Sequence, residues 1–471
     1  MARHHYSLGQ VILTLLLVLK ANVSLQAVAR VMSILNELFD DIIATPHWST
    51  GRWWLLRVGY HLLRRVKQQA DDWVLFVDHS TQLGQERTLL ILGIRLRNLP
   101  PSGQSLSLAD MEVIDLVPVV KSDKQVVYEQ LKAAAAKTGV PRAIVHDCGG
   151  DLAGGLALFQ EKHPTTAGIY DITHKAACLL KARLEKDPTW KAFSTEVSQT
   201  KFETQQTELA PLVPPSQRVK ARFMNLGDLI RWGRETLTVI EELPPVVLSL
   251  MTPERLEEKF GWLRDYKEPL RNWSEMQQVI DVTEYFVRRN GHYRGSAKDL
   301  KQRFEPLSLG APAQDLRDEL VTFVNGESRK AKKAEHLPGS SEVLESAFGK
   351  FKEIEGNQSK RGFTGLLLAL PAIFSQLTAD TIREALESVK TQDVVQWIRD
   401  HLGQTQHSKR CMVYSTVRPP SQKCQASSFE PVPCGMLANI ETTDPAGKFR
   451  RGPAAARDER AQKVGEKQCR R

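Results

Sequence analysis

The sequence predicts an α/β fold: a mixed five-stranded sheet flanked by helices, preceded by a helical domain and interrupted by an all-helical insertion. Five apolar runs rich in strand-forming residues lie between residues 73 and 172. Hairpin-sized gaps join the first three runs, which favours antiparallel pairing, whereas helical segments separate the later runs, which favours parallel pairing. We therefore expect a sheet that is antiparallel on one side and parallel on the other.

The composition is that of a globular chain with a basic charge balance. Its 471 residues suffice for roughly two or three domains, and 41% of them are hydrophobic. Lys and Arg number 64 against 55 Asp and Glu, a net charge of +9, which favours a polyanionic partner, nucleic acid before anionic membrane. The six cysteines include no CxxC pair, which argues against a disulfide scaffold or a zinc knuckle and suits a reducing compartment.

Residues 1–70 are predicted to be a helical domain. The apolar run that ends at Leu19 is too short to span a bilayer, so we expect a core helix rather than a membrane segment or a signal peptide. Ser24 is the predicted N-cap of the next helix, and Thr50 that of a basic, tryptophan-bearing one. These two helices suit either a helix-turn-helix reader of DNA or a plain helical subdomain with a solvated basic face. On the first interpretation, the candidate DNA-binding residues are Arg52, Trp53 and Arg57.

Residues 71–188 are the predicted first part of the sheet domain. The first apolar run, WVLFVD, ends on Asp78, and a later one, RAIVHD, ends on Asp147. Between them a helix is expected to end at Gly139. Asp151 is the predicted N-cap of the helix that follows the later run. Because burying an unpaired carboxylate is costly, an aspartate that ends an apolar strand needs either solvent or a cation.

The second half of the chain is predicted to be almost entirely helical. Residues 189–334 form an all-helical insertion, and residues 335–402 complete the sheet domain with further helices. Beyond them the helical periodicity is lost and the chain becomes rich in Lys and Arg, so we expect residues 403–471 to be a basic, largely disordered tail.

Two carboxylates lie on the first helix after the insertion, EVLESAFGKFKEIEG. The apolar stripe of this helix centres between Leu344 and Phe351. Glu345 falls on the shoulder of the stripe, whereas Glu342 points away from it. Because a side chain that reaches the edge of the sheet must lie beside the face that packs on the sheet, Glu345 is the better candidate for a functional site.

Asp78 and Asp147 are expected at the same edge of the sheet if their strands are neighbours. Two carboxylates placed side by side repel one another strongly unless a cation lies between them. Mg²⁺ or Mn²⁺ suits such a site, because hard cations prefer oxygen ligands and keep positions for water and phosphate. The sequence therefore predicts a divalent metal site, with Glu345 as a third ligand.

The segments FVDHST, IVHDCGGDL and SSEVLESAFGKFK, in this order and separated by a helical block, resemble a bacterial insertion-sequence transposase of the DDE type. The resemblance covers about residues 20–400 and implies a ribonuclease-H-like catalytic core that is split by helices. It implies Asp78, Asp147 and Glu345 as the catalytic carboxylates and the ligands of two Mg²⁺ or Mn²⁺ ions. Asp151 is the rival of Asp147, because both lie in HDCGGD.

Further residues take candidate roles from the same resemblance. Asp171 and His174, in YDITHKAACLLK, match a D-x-x-H element that supports the site rather than binding the metal. Lys350 and Lys352 are candidate contacts for DNA phosphates, although lysines on a helix are commonly only solvated. The tryptophans of the insertion either stack on a flipped base or belong to its core; they are Trp190, Trp232, Trp262 and Trp273.

The activity that the resemblance implies is metal-dependent cleavage of DNA at transposon ends, followed by strand transfer into target DNA. The implied partners are the terminal inverted repeats, the target DNA and further copies of the chain, in the bacterial cytoplasm and with no membrane. Two alternatives stay open: a transposase-derived DNA-binding protein without activity, and a metal-dependent nuclease of the same fold.

Overall fold

The computed structural model describes residues 5–39, 44–83, 86–216, 226–358, 364–404 and 406–417. The chain divides into two compact units, Met1–Arg410 and Cys411–Arg471. Most of the predicted disordered tail, from residue 418 onward, lies outside the described residues. The tail also contains a helix, Gln406–Ser415, which was not expected; its segment QHSKRCMVYS holds no Gly or Pro to interrupt helical hydrogen bonding.

Five strands form one mixed sheet, as the sequence predicts. They are β1 (Trp73–Leu83), β2 (Glu86–Arg95), β3 (Glu112–Val119), β4 (Ala143–His146) and β5 (Ala167–Tyr170). The spatial order is β3-β2-β1-β4-β5. The pairs β1–β2 and β2–β3 are antiparallel, whereas β1–β4 and β4–β5 are parallel. This order and these directions are those of a ribonuclease-H-like sheet, and the predicted fold class is confirmed.

The helices lie before, beside and after the sheet. Those before it are α1 (Leu8–Leu19), α2 (Leu25–Leu38) and α3 (Trp48–Arg64). Those beside it are α4 (Lys124–Thr138), α5 (Gly150–Lys162) and α6 (Ile172–Leu184). The insertion contains α7 (Pro188–Thr204), α8 (Gly227–Glu242), α9 (Pro245–Leu248), α10 (Pro253–Phe260), α11 (Lys267–Asn290), α12 (Ser296–Phe304) and α13 (Ala311–Ser328). The last group is α14 (Glu342–Gly356), α15 (Leu370–Ile373), α16 (Ala379–Ser388), α17 (Thr391–His401) and α18 (Gln406–Ser415).

Strand β1 is the centre of the sheet and is covered on both faces. Val74 and Phe76 belong to a core shared with the N-terminal helices and with the helices after the insertion. Trp73, Leu75 and Val77 face a second core, built with α4 and α5. Burial on both faces explains why WVLFV is a continuous apolar run instead of an alternating one.

Local signals in the sequence account for most helix ends. Ser24 accepts a hydrogen bond from Ala27 N and is the N-cap of α2, as predicted. Gly139 ends α4 with a φ of +88°, a conformation that favours glycine, also as predicted. The prediction for α3 was wrong: the helix begins after His47, whose ring accepts from Ser49 N, so Thr50 lies inside its first turn.

Helix α3 packs against α1, α2, α15, α16 and α17. Its closest approach is at Gly59, where a Cβ atom would lie 1.5 Å from the carbonyl oxygen of Leu368. Glycine is therefore required there by backbone contact rather than by backbone conformation. Through this contact the N-terminal helices and the segment that follows α14 share one core.

The insertion has a core of its own, which includes part of α6. Trp190 and Trp273 are buried in it and meet edge to face with ring centroids 4.8 Å apart. Trp232 and Trp262 are partly buried, and their indole N–H groups donate to Leu212 O and to Lys259 O. The four tryptophans thus pack inside the insertion, which is the second of the two interpretations given above.

We expect Gly59→Ala to destabilise the fold by about 2 kcal/mol or more, because the new methyl group meets backbone that cannot move alone. The control is Gly326→Ala, on the exposed side of α13, where a Cβ would have no neighbour within 4 Å. That change should leave stability unchanged or raise it by up to about 1 kcal/mol. Chemical denaturation measures both, and an equal effect of the two changes would contradict the proposed contact.

Candidate metal centre

The two aspartates lie side by side, but only Asp147 follows the end of its strand. The prediction that the first strand ends on Asp78 was wrong, because pairing with β2 continues β1 as far as Leu83. In the parallel pairing of β1 with β4, the last pair is Val77 opposite His146. Asp78 and Asp147 directly follow these two residues along the chain. This register places the two residues next to each other where β4 ends, and the adjacency is as the sequence predicts. The arrangement depends on the topological switch between β2 and β4, which flank β1 on opposite sides.

The environment of Asp78 disfavours its charged form. Burial raises the pKa of its carboxyl well above the ordinary value, and the charge of Asp147 raises it further. Glu345 and Asp171 act in the same direction. A hydrogen bond of 2.6 Å from His79 N to Asp78 Oδ1 opposes these effects but does not outweigh them. Three other carboxylates thus act electrostatically on Asp78.

A tight loop holds Asp147. Its Oδ1 accepts a hydrogen bond of 2.8 Å from Gly149 N, and the intervening Cys148 has a left-handed φ of +59°. A Cβ at Gly149 would lie 3.1 Å from Asp147 Oδ1 and 3.4 Å from Asp151 Oδ1. A larger residue at position 149 would therefore crowd both carboxylates.

Asp151 has a different set of partners. It lies in the first turn of α5, whose N-cap is Gly149, so the prediction of Asp151 as the N-cap was wrong. Its Oδ2 is 3.3 Å from Arg87 Nη1 and 3.8 Å from His79 Nδ1. Burial acts to raise the pKa of Asp151, but hydrogen bonds and His79 outweigh burial and lower it. Asp151 is therefore part of an ion pair, whereas the negative charge of Asp147 repels that of Asp78.

Glu345 lies in the first turn of α14, and α14 packs on β1. Its Oε1 is 3.7 Å from His174 Nε2, and 42% of its side chain is exposed. Burial raises the pKa of Glu345, with His174 and Arg288 opposing and Asp171 adding to the rise. Its rival Glu342 is paired with Arg288, at 3.1 Å between Nε and Oε2.

Asp171 joins the sheet to the helix that carries Glu345. It is buried and is the N-cap of α6, where its Oδ1 accepts a hydrogen bond of 2.8 Å from His174 N. Its Oδ2 accepts from both the backbone N and the side-chain Oγ of Ser341, the residue before α14. One carboxylate thus fixes the starts of two helices, one with His174 and the other with Glu345.

The aspartate pair is chemically suited to a divalent cation, because a cation removes the repulsion that raises the pKa of Asp78. Across the described residues, no three His, Cys, Asp or Glu side chains are grouped closely enough to hold a metal ion. Coordination of one ion by all three predicted ligands would therefore require these side chains to rearrange.

The predicted DNA-binding residues of α3 make contacts within the fold. Arg57 donates to the backbone oxygens of Val389 and Leu386 at the end of α16. Burial lowers the pKa of Arg52, whose guanidinium lies 5.8 Å from the ring centre of the partly buried Trp53. Arg57 thus holds α3 to α16, and contact of these three residues with DNA stays a prediction.

Lys350 and Lys352 lie two turns after the start of α14. Lys352 is exposed, whereas Lys350 is partly buried. Burial lowers the pKa of Lys350, and the charge of Lys20 lowers it further. The proposed phosphate contacts of the two lysines stay predictions.

Sequence reasoning missed two residues that organise this site. Ser341 occupies the N-cap position of α14, but its hydroxyl donates a hydrogen bond to Asp171 and makes no cap hydrogen bond. Arg288, in the insertion, pairs with Glu342 on α14. The serine before α14 was a visible signal, whereas no local pattern indicates the partner of Arg288.

Comparison with models of known protein families and with curated proteins finds no match. Among solved structures, the chain is similar to one described as a Drosophila P element transposase strand transfer complex, with a TM-score of 0.40 and 12% sequence identity. The similarity covers 81% of this chain and 94% of that one. In the residues that the structure describes, no helix combines the length and the apolar character needed to cross a membrane.

We expect Asp78→Asn to raise the free energy of unfolding at pH 7 in EDTA by about 1 kcal/mol or more. Because the pKa of Asp78 is raised in the fold, the stability that its protonated form contributes is present at low pH and is lost as the pH rises through that pKa. The matched control is Asp151→Asn. The pKa of Asp151 is lowered, so its ionised form contributes stability at pH 7, and this change should destabilise.

Thermal unfolding across pH 4–8 measures both effects. Mg²⁺ should stabilise the wild type and the Asp151→Asn variant but not the Asp78→Asn variant. Destabilisation by Asp78→Asn in EDTA would contradict the repulsive pair.

Proposed function

We propose that this protein is a DDE-type DNA transposase, which cleaves DNA at transposon ends and transfers the strand to target DNA with Mg²⁺ or Mn²⁺. The observation that carries the proposal is the adjacency of Asp78, within β1, and Asp147, directly after β4, with the charge of Glu345 on α14 acting on Asp78. Carboxylates on three separate elements of a ribonuclease-H-like sheet are suited to phosphoryl transfer, in which the protein mainly positions metals and phosphates.

Each carboxylate has its own task. Asp78 and Asp147 would hold the divalent ions between them, and Glu345 would complete the ligand set. Bound there, two ions supply charge stabilisation for the attacking and leaving oxygens of an in-line displacement. Asp171 fixes the start of α14, and His174 keeps Glu345 paired. We assign Asp151 to structural pairing with Arg87 and His79.

Double-stranded DNA is the proposed partner, both as terminal inverted repeats and as target. The net charge of +9 favours a polyanionic partner. The non-specific component of DNA binding should weaken as the salt concentration rises. We propose that the protein works as a dimer or a higher assembly on paired ends, associated with the bacterial nucleoid. Arg52, Trp53, Arg57, Lys350 and Lys352 remain candidate DNA contacts.

Two other functions are compatible with this fold, and activity assays distinguish them from a transposase. A transposase-derived regulator would bind the same ends without cutting them, and the intact acids at all three positions argue against it. A metal-dependent nuclease would cut without joining. The N-terminal helices and the long insertion argue against a simple nuclease, since phosphodiester cleavage alone needs neither.

The test is a cleavage assay on labelled duplexes taken from the DNA on either side of the gene, with Mg²⁺, Mn²⁺ or EDTA. We expect nicking at discrete ends with either metal and none in EDTA. Asp78→Asn, Asp147→Asn and Glu345→Gln should each lower the cleavage rate by roughly 10³-fold or more while DNA binding stays unchanged.

The control in this assay is Asp151→Asn, which should retain most of the activity. If Asp151→Asn abolished cleavage and Asp147→Asn retained it, Asp151 would be the catalytic carboxylate and Asp147 the structural one. Tight binding by the wild type without cleavage would replace the enzyme with the regulator, and cleavage without joined products would favour the nuclease.

A further inference from the structure

Arg288, near the end of α11, connects three parts of the molecule. Its Nη2 lies 2.9 Å from Glu284 Oε2 on the same helix and 3.3 Å from Thr173 Oγ1 at the start of α6. Its Nε lies 3.1 Å from Glu342 Oε2 in the first turn of α14, an ion pair that lacks hydrogen-bond alignment. One guanidinium therefore joins the helical insertion to the first turns of both α6 and α14.

These contacts surround Glu345 without touching it. Thr173 precedes His174, the partner of Glu345, and Glu342 precedes Glu345 by less than one turn of α14. The charge of Arg288 acts on the carboxyl of Glu345, where it lowers the pKa against the effect of burial. A shift of Arg288 would change the position of α14 and the electrostatic environment of Glu345 together.

Glu284 is the less exposed of the two carboxylates paired with Arg288, with 15% of its side chain accessible against 49% for Glu342. Burial raises its pKa to about 7, against the effect of Arg288. Asp281 on α11, Asp171 on α6 and Glu342 on α14 add to the rise. Glu284 therefore exchanges a proton near neutral pH, and its ionised form is the stronger acceptor for the guanidinium.

We propose that Arg288 is a positioning residue that fixes the first turn of α14, and with it Glu345, to the insertion, and that ionised Glu284 orients Arg288 for this task. The proposal rests on the proposed function for its effect on catalysis, but its structural part does not. Because Arg288 contacts neither aspartate, its removal should disturb the placement of Glu345 and leave the aspartate pair intact.

The first experiment measures amide hydrogen exchange in the metal-free protein for peptides that cover residues 339–349. Arg288→Met should increase exchange there by about tenfold, while Arg288→Lys, which can hold only one carboxylate, should show a smaller increase. The control is Arg271→Met on the same helix, where Arg271 is also paired with two glutamates, Glu268 and Glu275. Its exchange over residues 339–349 should equal that of the wild type.

The second experiment measures single-turnover cleavage and DNA affinity between about pH 6 and pH 8.5. Arg288→Met should lower the cleavage rate roughly 10- to 100-fold with DNA affinity unchanged, because a misplaced ligand slows the chemical step. Glu284→Gln imitates the protonated acid. It should match the wild type at about pH 6 and fall roughly fivefold below it at about pH 8.5.

The outcomes separate this proposal from the proposed function. Unchanged exchange over residues 339–349 in Arg288→Met overturns the positioning role, whatever the activity. A constant ratio of Glu284→Gln to wild-type rates across the pH range overturns the role of Glu284. Increased exchange in a protein that never cleaves DNA supports the positioning role and rejects the transposase.

Discussion

The parallel pairing of β1 with β4 is the constraint on which the rest of this structure depends. It brings Asp78 and Asp147 together, and their repulsion is a cost that the fold must offset elsewhere. Apolar cores on both faces of the central strand stabilise the sheet that carries the pair. Natural proteins accept such local destabilisation at sites where a ligand or a reaction requires it.

Neutralisation of charge distinguishes the carboxylates of this edge of the sheet. Asp151 is paired with Arg87, and Glu342 is paired with Arg288. Asp78 differs from them, because the charges that act on it belong to the carboxylates Asp147, Glu345 and Asp171. A divalent cation would supply the missing positive charge there, which is the physical basis of the proposed metal site.

The third carboxylate depends on contacts from distant parts of the chain. Asp171 holds the residue before α14 by two hydrogen bonds, and Arg288 holds Glu342 from the insertion. The two hydrogen bonds between Ser341 and Asp171 are directional and fix where the first turn of α14 begins, and the ion pair of Arg288 with Glu342 adds a charge contact there. The insertion is thus coupled to the site by polar contacts at its junction with the core, in addition to its own apolar core.

The sequence by itself determined the strands and their directions, because these follow from apolar runs and gap lengths, but not the end of β1, which pairing with β2 carries past Asp78 to Leu83. It also favoured Glu345 over Glu342 from helical periodicity. It did not determine the start of α3 or the N-cap of α5, where backbone geometry at His47 and Gly149 prevailed over the expected caps.

Only the tertiary structure decided which hydrogen-bond and ion-pair partners the carboxylates have. The partners of Asp171 and Glu342 are Ser341 and Arg288, and neither pairing has a local signature because each joins segments far apart in the chain. Local patterns report propensity and amphipathicity, whereas a charge is neutralised by whatever the folded chain brings within a few ångströms of it.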